Sequence, residues 1–257
     1  MILFLNFARS GGTLLNKVLL TLPSTVVLSE VGKYGGGWGE DGSKSLTRIS
    51  EQAKNWFDLQ LSNPDADYFE QLHELDSICR RNKKILIVRE WIYSYYFPTL
   101  YCEIPNEKIE SLVNLREQIS SVIIMTRNAI DVWISNGMPE ISPFFEKYNK
   151  ILDVFESLGY PIYKYEDFVA KPVQFMQRLC DDHGIQYDTF LNRWHLEKRI
   201  NGDSQLKTAA RGYQSREIKK PSRRKINPVQ VFKLMINTRF REANRRLGYS
   251  TNYFKDL

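Results

Sequence analysis

The chain has 257 residues, 42% of them hydrophobic, and a formal net charge of +6. That size and apolar content exclude a disordered segment and suit one α/β domain over residues 1–257, with a basic segment from about residue 199 onward. No run of about eighteen apolar residues occurs, and the apolar stretch Met1–Leu5 is too short for an export signal, so neither a membrane span nor a leader is expected.

In chain order, Ile2–Phe7 reads as a buried strand, followed by ARSGGT and a helix over Gly12–Leu22, where Leu14, Leu15, Val18, Leu19 and Leu22 recur at helical spacing. Thr25–Ser29 is the second strand, and Glu30 follows it directly. Gly32–Lys83 is less regular; two helices and a loop are expected there, with Gly35–Gly37 as its most flexible point. Lys84–Arg89 is the third strand, Ser121–Thr126 the fourth and Pro161–Tyr165 the fifth. Helices are expected from Asn128, over Ser142–Leu158 and over Phe168–His183. Most of the strands are short apolar runs, as in parallel sheets covered on both faces. The alternation implies a three-layer α/β sandwich around a roughly five-stranded parallel sheet.

Cys79, Cys102 and Cys180 are odd in number and scattered, away from His73, His183 and His195. They have no metal-ligand spacing and no disulfide framework, which points to a reducing, cytoplasmic setting and to no metal. The excess positive charge lies late, in REIKKPSRRK and RFREANRRL. It is either a solvated helix face or a surface for polyanions.

Ligands of open parallel sheets bind beyond the carboxyl ends of the strands, which is where ARSGGT falls. Backbone amides and the positive end of the following helix make such a turn a phosphate site. The nucleotide triphosphatase loop G-x-x-x-x-G-K-[ST] is not met: Gly12 stands in the lysine place and Asn6 in that of the first glycine. A lone guanidinium, Arg9, stands beside the amides instead. A second anion site is expected at SVIIMTRNAIDVWIS, where Arg127 emerges at a strand end, Asn128 can cap a helix, and Ser135 lies two turns on.

RSGGTLL resembles the phosphosulfate-binding loop of sulfotransferases that use 3′-phosphoadenosine 5′-phosphosulfate. RNAIDVWIS resembles their R-N-P-x-D-x-x-x-S motif in Arg127, Asn128, Asp131 and Ser135, with Ala129 in place of proline. YEDFVAKP, followed by Gly184–Ile185, resembles a third family segment. The resemblance implies a P-loop NTPase-like sulfotransferase fold. It also implies a donor site of Arg9, Ser10, Gly11, Gly12, Thr13 and Leu14 on the 5′ side, and of Arg127 and Ser135 at the 3′-phosphate. Tyr165 would face the nucleotide, and Arg211 and Gly212 of the basic tail would close over it. The donor would leave as 3′-phosphoadenosine 5′-phosphate, with no metal required.

Transfer to a hydroxyl or amine needs a base. Glu30 is the first choice, unless it pairs with a cation such as Arg9 or Lys33. Glu90 is the second, unless it pairs with Arg89. Arg9 would stabilise charge on the leaving phosphate. The aromatic stretch WIYSYYFPTLY reads as core or acceptor pocket, and Val31–Asp41 as a lid. The expected acceptor is a small molecule, carbohydrate or lipid, with no specific nucleic-acid partner and a possible homo-oligomer. A nucleotide kinase or triphosphatase, and a non-catalytic nucleotide- or polyanion-binding relative, are the alternatives.

Overall fold

The computed structural model describes residues 1–31, 48–90, 92, 110–190, 193–199, 217–219 and 226–252. Five parallel strands, β1 (Ile2–Asn6), β2 (Thr25–Val31), β3 (Ile85–Glu90), β4 (Ser121–Thr126) and β5 (Ile162–Lys164), form one sheet in the order β2-β3-β1-β4-β5. Chain direction across the sheet reverses between β1 and β4, so the crevice beyond their carboxyl ends is the topological switch point.

Each apolar strand serves two cores because its side chains alternate. Leu3, Leu5, Val26, Leu28, Leu86, Val88, Val122 and Ile124 face one side. There they meet α2 (Ile49–Phe57), α3 (Tyr68–Arg81), α5 (Ala129–Ser135), α6 (Ile141–Ser157), α9 (Pro228–Ile236) and α10 (Thr238–Arg246). Ile2, Phe4, Val27, Ile87, Ile123 and Met125 face the other side. Their partners are α1 (Gly12–Leu19), α7 (Tyr165–Ala170), α8 (Pro172–His183) and a 3₁₀ turn at Trp194–Leu196. One further short helix, α4 (Glu110–Asn114), precedes β4. The expected three-layer α/β sandwich is therefore present. Among the described residues no helix is long and apolar enough to cross a membrane.

α1 stops at Leu19, short of the expected Leu22, β3 runs Ile85–Glu90, and three differences lie nearer the site. β5 ends at Lys164, and Tyr165 already starts a helix. The helix expected over Phe168–His183 is two, α7 and α8. Pro172 holds Lys171 at φ −141° and ψ 69°, outside the helical region, and so separates them. β2 runs on through Glu30 to Val31, but only by way of a bulge between Leu28 and Val31.

That bulge matters for the site. With regular alternation Glu30 would follow Val26 and Leu28 into the apolar core. Instead Glu30 takes φ 53°, and Val31 occupies the core side. The ladder bonds lost at Ser29 are replaced by one side chain from α2. The Gln52 carboxamide accepts from Ser29 N–H at 2.8 Å through Oε1 and donates to Ser29 C=O at 2.9 Å through Nε2. Both residues are buried. Gln52→Leu removes both partners at once, and each buried group left unsatisfied costs about 1–3 kcal/mol. The variant is expected to lose about 2–4 kcal/mol in a urea titration, without a change in secondary-structure content by circular dichroism.

Candidate active site

The turn after β1 is shaped by the groups packed beneath it. Ser10 N–H donates to Phe7 C=O at 3.1 Å, and Arg9 and Gly11 both take positive φ, 71° and 85°. A Cβ on Gly11 would stand 2.1 Å from Tyr165 Cδ2, and one on Gly12 would stand 2.4 Å from Asn6 Oδ1. Both glycines are thus required by side chains of the protein itself: the ring of Tyr165 and the carboxamide of Asn6 lie against the turn. A lysine at position 12, as in the triphosphatase loop, would collide with Asn6.

α1 starts at Gly12 with no side-chain cap and no acidic residue in its first turn. Among the described residues, no acceptor is bonded to the backbone N–H groups of Gly11, Gly12 and Thr13. Helix starts leave such donors for water, side chains or anions.

The start of α5 is the opposite case. Glu166 Oε1 accepts from Asn128 N–H at 3.1 Å, Asn244 Oδ1 from Ala129 N–H at 3.1 Å, and Asn128 Oδ1 from Ile130 N–H at 3.0 Å. The first donors of α5 are consumed by the protein, so any anion there must be held by side chains. Glu166 also accepts from the Tyr249 hydroxyl, and Asn244 Nδ2 donates to Ser250 C=O at 2.8 Å. Burial and the Glu166 carboxylate push the Tyr249 phenol pKa far up, so it remains the donor. The C-terminal segment therefore fixes the loop that carries Arg127.

The two anion sites read from the sequence meet. Arg9 Nε donates to Ser135 Oγ at 3.0 Å, and Arg127 Nη1 donates to Arg9 C=O at 3.3 Å. The Arg127 guanidinium lies 4.9 Å from the centre of the Tyr165 ring, so Tyr165 stands between Gly11 and Arg127 and is only 7% exposed. Tyr148 OH donates to Arg127 C=O at 3.3 Å. Ser10 Oγ and Arg127 Nε are buried donors with no hydrogen-bond partner among the described residues. Two cations, one hydroxyl with a free bond and three open amides thus stand on one rim of the sheet.

The carboxylates lie toward β3. Glu30 Oε1 accepts from Arg89 Nη2 at 2.8 Å, and Arg89 Nε donates to Asn6 Oδ1 at 3.1 Å. Arg89 is buried, which by itself pulls its pKa down, and the Glu30 carboxylate opposes that fall. Arg89 Nη1 has no hydrogen-bond partner among the described residues. Among the described residues the cation beside Glu30 is Arg89 and not Arg9, and Arg89 pairs with Glu30 and not with its neighbour Glu90. Glu90 Oε1 accepts from Ser111 Oγ at 2.7 Å, and Glu90 is 1% exposed.

Arg211 and Gly212 lie outside the described residues, as do Lys33, most of the aromatic stretch and most of the expected lid. Sequence reading missed Asn6, Glu166, Asn244 and Tyr249 as supports of the site. The signal for Glu166 was present in YED; Asn244 and Tyr249 had none, because they act across the fold.

No protein-family model matches the chain, and no curated protein matches it by sequence. Solved structures do. The sulfotransferase domain from the Synechococcus PCC 7002 olefin synthase is similar with a TM-score of 0.58 and 16% identity, over 97% of this chain and 94% of that one. The sulfotransferase domain from the curacin biosynthetic pathway is similar with a TM-score of 0.53 and 15% identity, over 97% and 98%. With its strand order, its glycine turn after β1 and this likeness over nearly its whole length, the chain has the sulfotransferase fold.

Proposed function

We propose that the protein is a sulfotransferase that moves a sulfuryl group from 3′-phosphoadenosine 5′-phosphosulfate to a hydroxyl or amine. The observation that carries this reading is the convergence of Arg9, Ser135 and Arg127 with the open amides of Gly11–Thr13 across the switch point. The residues fit a donor with two phosphate groups. Ser10 Oγ and Arg127 Nε are buried there, and neither has a hydrogen-bond partner among the described residues.

In this reading the donor supplies an activated sulfur on a phosphate oxygen. The amides at the α1 start and the Arg9 guanidinium hold the phosphate from which the sulfuryl leaves, and they stabilise its growing charge. Arg127 and Ser135 hold the 3′-phosphate. Glu30 takes the proton of the attacking hydroxyl or amine. Its Oε1 is tied to Arg89, while Oε2 takes no hydrogen bond among the described residues. The bond from sulfur to the acceptor forms as the bond from sulfur to the phosphate oxygen breaks, and the doubly phosphorylated adenosine departs. Arg89 is a positioning residue: it fixes the direction of Glu30 through a bond to Asn6. Glu90, turned to Ser111, is the less favourable base.

The kinase reading is weaker. Gly12 has no space for the phosphate-gripping lysine, and the nearby Lys17 is buried next to the charge of Glu197, with burial lowering its pKa. A cytoplasmic setting suits the cysteines, since Cys79 and Cys180 are unpaired and burial pushes both thiols up to about 12.

In thermal-shift assays, 3′-phosphoadenosine 5′-phosphate is expected to stabilise the protein and ATP with Mg²⁺ is not; the reverse order would refute the proposal. Arg127→Ala should weaken the affinity for that nucleotide by about tenfold or more, the worth of one charged hydrogen bond. Glu30→Gln should leave nucleotide binding intact and lower transfer from the ³⁵S-labelled donor by about 10²–10⁴-fold. If Arg89 acts through Glu30, Arg89→Gln lowers turnover with unchanged nucleotide affinity, and the double variant is no slower than Glu30→Gln alone. Additive losses would assign Arg89 a separate role.

A further inference from the structure

Arg127 stands near carboxylates and pairs with none of them. Burial raises the Tyr165 phenol pKa, the Arg127 charge opposes the rise, and Glu166 and Asp131 add to it. Tyr148, whose hydroxyl donates to Arg127 C=O at 3.3 Å, is likewise raised by burial, with Glu166 adding and Arg127 opposing. Glu166 Oε1 also accepts from the N–H of Asn128, the residue after Arg127, at 3.1 Å. Yet among the described residues the Arg127 guanidinium makes no ion pair, and its Nε has no hydrogen-bond partner. A guanidinium and a carboxylate form their strongest hydrogen bonds with each other, so the missing pair needs a cause.

For Asp131 the cause is local: it belongs to the first turn of α5, where it favours the helix start. For Glu166 it comes from the C-terminal segment. Oε1 is held by Asn128 N–H, and Oε2 accepts from the Tyr249 hydroxyl. Tyr249 is itself placed with care. The chain reverses after α10 at Gly248, with φ 67°, and Tyr249 N–H donates to Asn244 C=O at 2.8 Å. Lys164, the last residue of β5, covers the Tyr249 ring with its Nζ 4.9 Å from the ring centre. Both oxygens of Glu166 are thus taken by donors that point it away from Arg127.

We propose that Tyr249 is a positioning residue for the 3′-phosphate: by tying down Glu166 it keeps Arg127 available to an anion, and so sets the preference for a 3′,5′-bisphosphorylated adenosine over its 5′-monophosphate. The inference rests on the donor reading given above and deepens it. Without the hydroxyl, Oε2 has lost its donor and Arg127 is a cation within its reach. An arginine already paired with a carboxylate must give up that pair before it takes a phosphate. The C-terminal segment therefore takes part in nucleotide selection without touching the nucleotide.

The test is calorimetric titration of the full chain with 3′-phosphoadenosine 5′-phosphate and with adenosine 5′-monophosphate. Tyr249→Phe keeps the ring under Lys164 and removes only the hydroxyl. It should weaken binding of the bisphosphate about tenfold and leave the monophosphate within about twofold of wild type. In a Glu166→Gln background no carboxylate remains to turn, so the same substitution should cost the bisphosphate less than about twofold. A tyrosine that only braced the fold would cost as much in both backgrounds and would weaken both nucleotides, which would overturn the proposal. Glu166→Gln alone keeps the test open if Tyr249→Phe misfolds. It should bind the bisphosphate about threefold more tightly, because a negative charge has left the surroundings of Arg127; weaker binding would make Glu166 a plain support and overturn the proposal. A wild-type preference for the bisphosphate that Tyr249→Phe retains, as when Glu166 turns to Lys164 instead, would overturn this inference and leave the donor reading standing. A wild type without that preference would overturn both.

Discussion

The contact on which the site rests is a tie between two strand ends. Arg127, leaving β4, donates to the carbonyl of Arg9, leaving β1, and Arg9 returns a bond to Ser135 on the helix that Arg127 precedes. This loop of donors crosses the switch point of the sheet. It holds Arg9 at a positive φ that costs a side-chain-bearing residue about 1–2 kcal/mol. A buried serine hydroxyl and a guanidinium nitrogen without partners among the described residues point to an anion there.

The two helix starts nearby divide the work. α5 satisfies its first amides with Glu166, Asn244 and Asn128, so it is a rigid base that presents side chains. α1 leaves its amides open. The difference lies in what surrounds each turn. The C-terminal segment, docked through α10 on α6, delivers Asn244 and Tyr249 to α5, whereas Tyr165 and Asn6 fill the places of the missing Cβ atoms below the α1 turn without capping its N–H groups. The bulge in β2 does similar work on the other side of β1: it turns Glu30 out of the apolar core toward Arg89, and Gln52 repairs the broken ladder.

Much of this was legible in the sequence because it is local. Apolar runs of strand length, each ending in a polar turn, marked all five strands, and the alternation of their side chains between two cores follows from strand geometry. Asn128 as a cap and Gly184 as a left-handed helix stop, at φ 63°, are likewise short-range signals. What escaped is long-range. Glu30 was read as lying after a strand because a bulge needs knowledge of the partner's register. Its cation was sought among neighbours in sequence, yet Arg89 comes from 59 residues away. The glycines were read as leaving room for a ligand; only coordinates reveal that Tyr165 and Asn6 occupy that room. α10 was visible as a basic helix, but its inward face, with Asn244, has no pattern that announces a cap for a helix more than a hundred residues earlier.

The central claim is that one rim of the sheet grips two phosphate groups at once. Calorimetric titration with 3′-phosphoadenosine 5′-phosphate, adenosine 5′-monophosphate and adenosine 3′-monophosphate tests it without any knowledge of the acceptor. The account predicts that each monophosphate binds at least about tenfold more weakly than the bisphosphate, because each lacks one set of charged hydrogen bonds. Equal affinity for the bisphosphate and either monophosphate would contradict it.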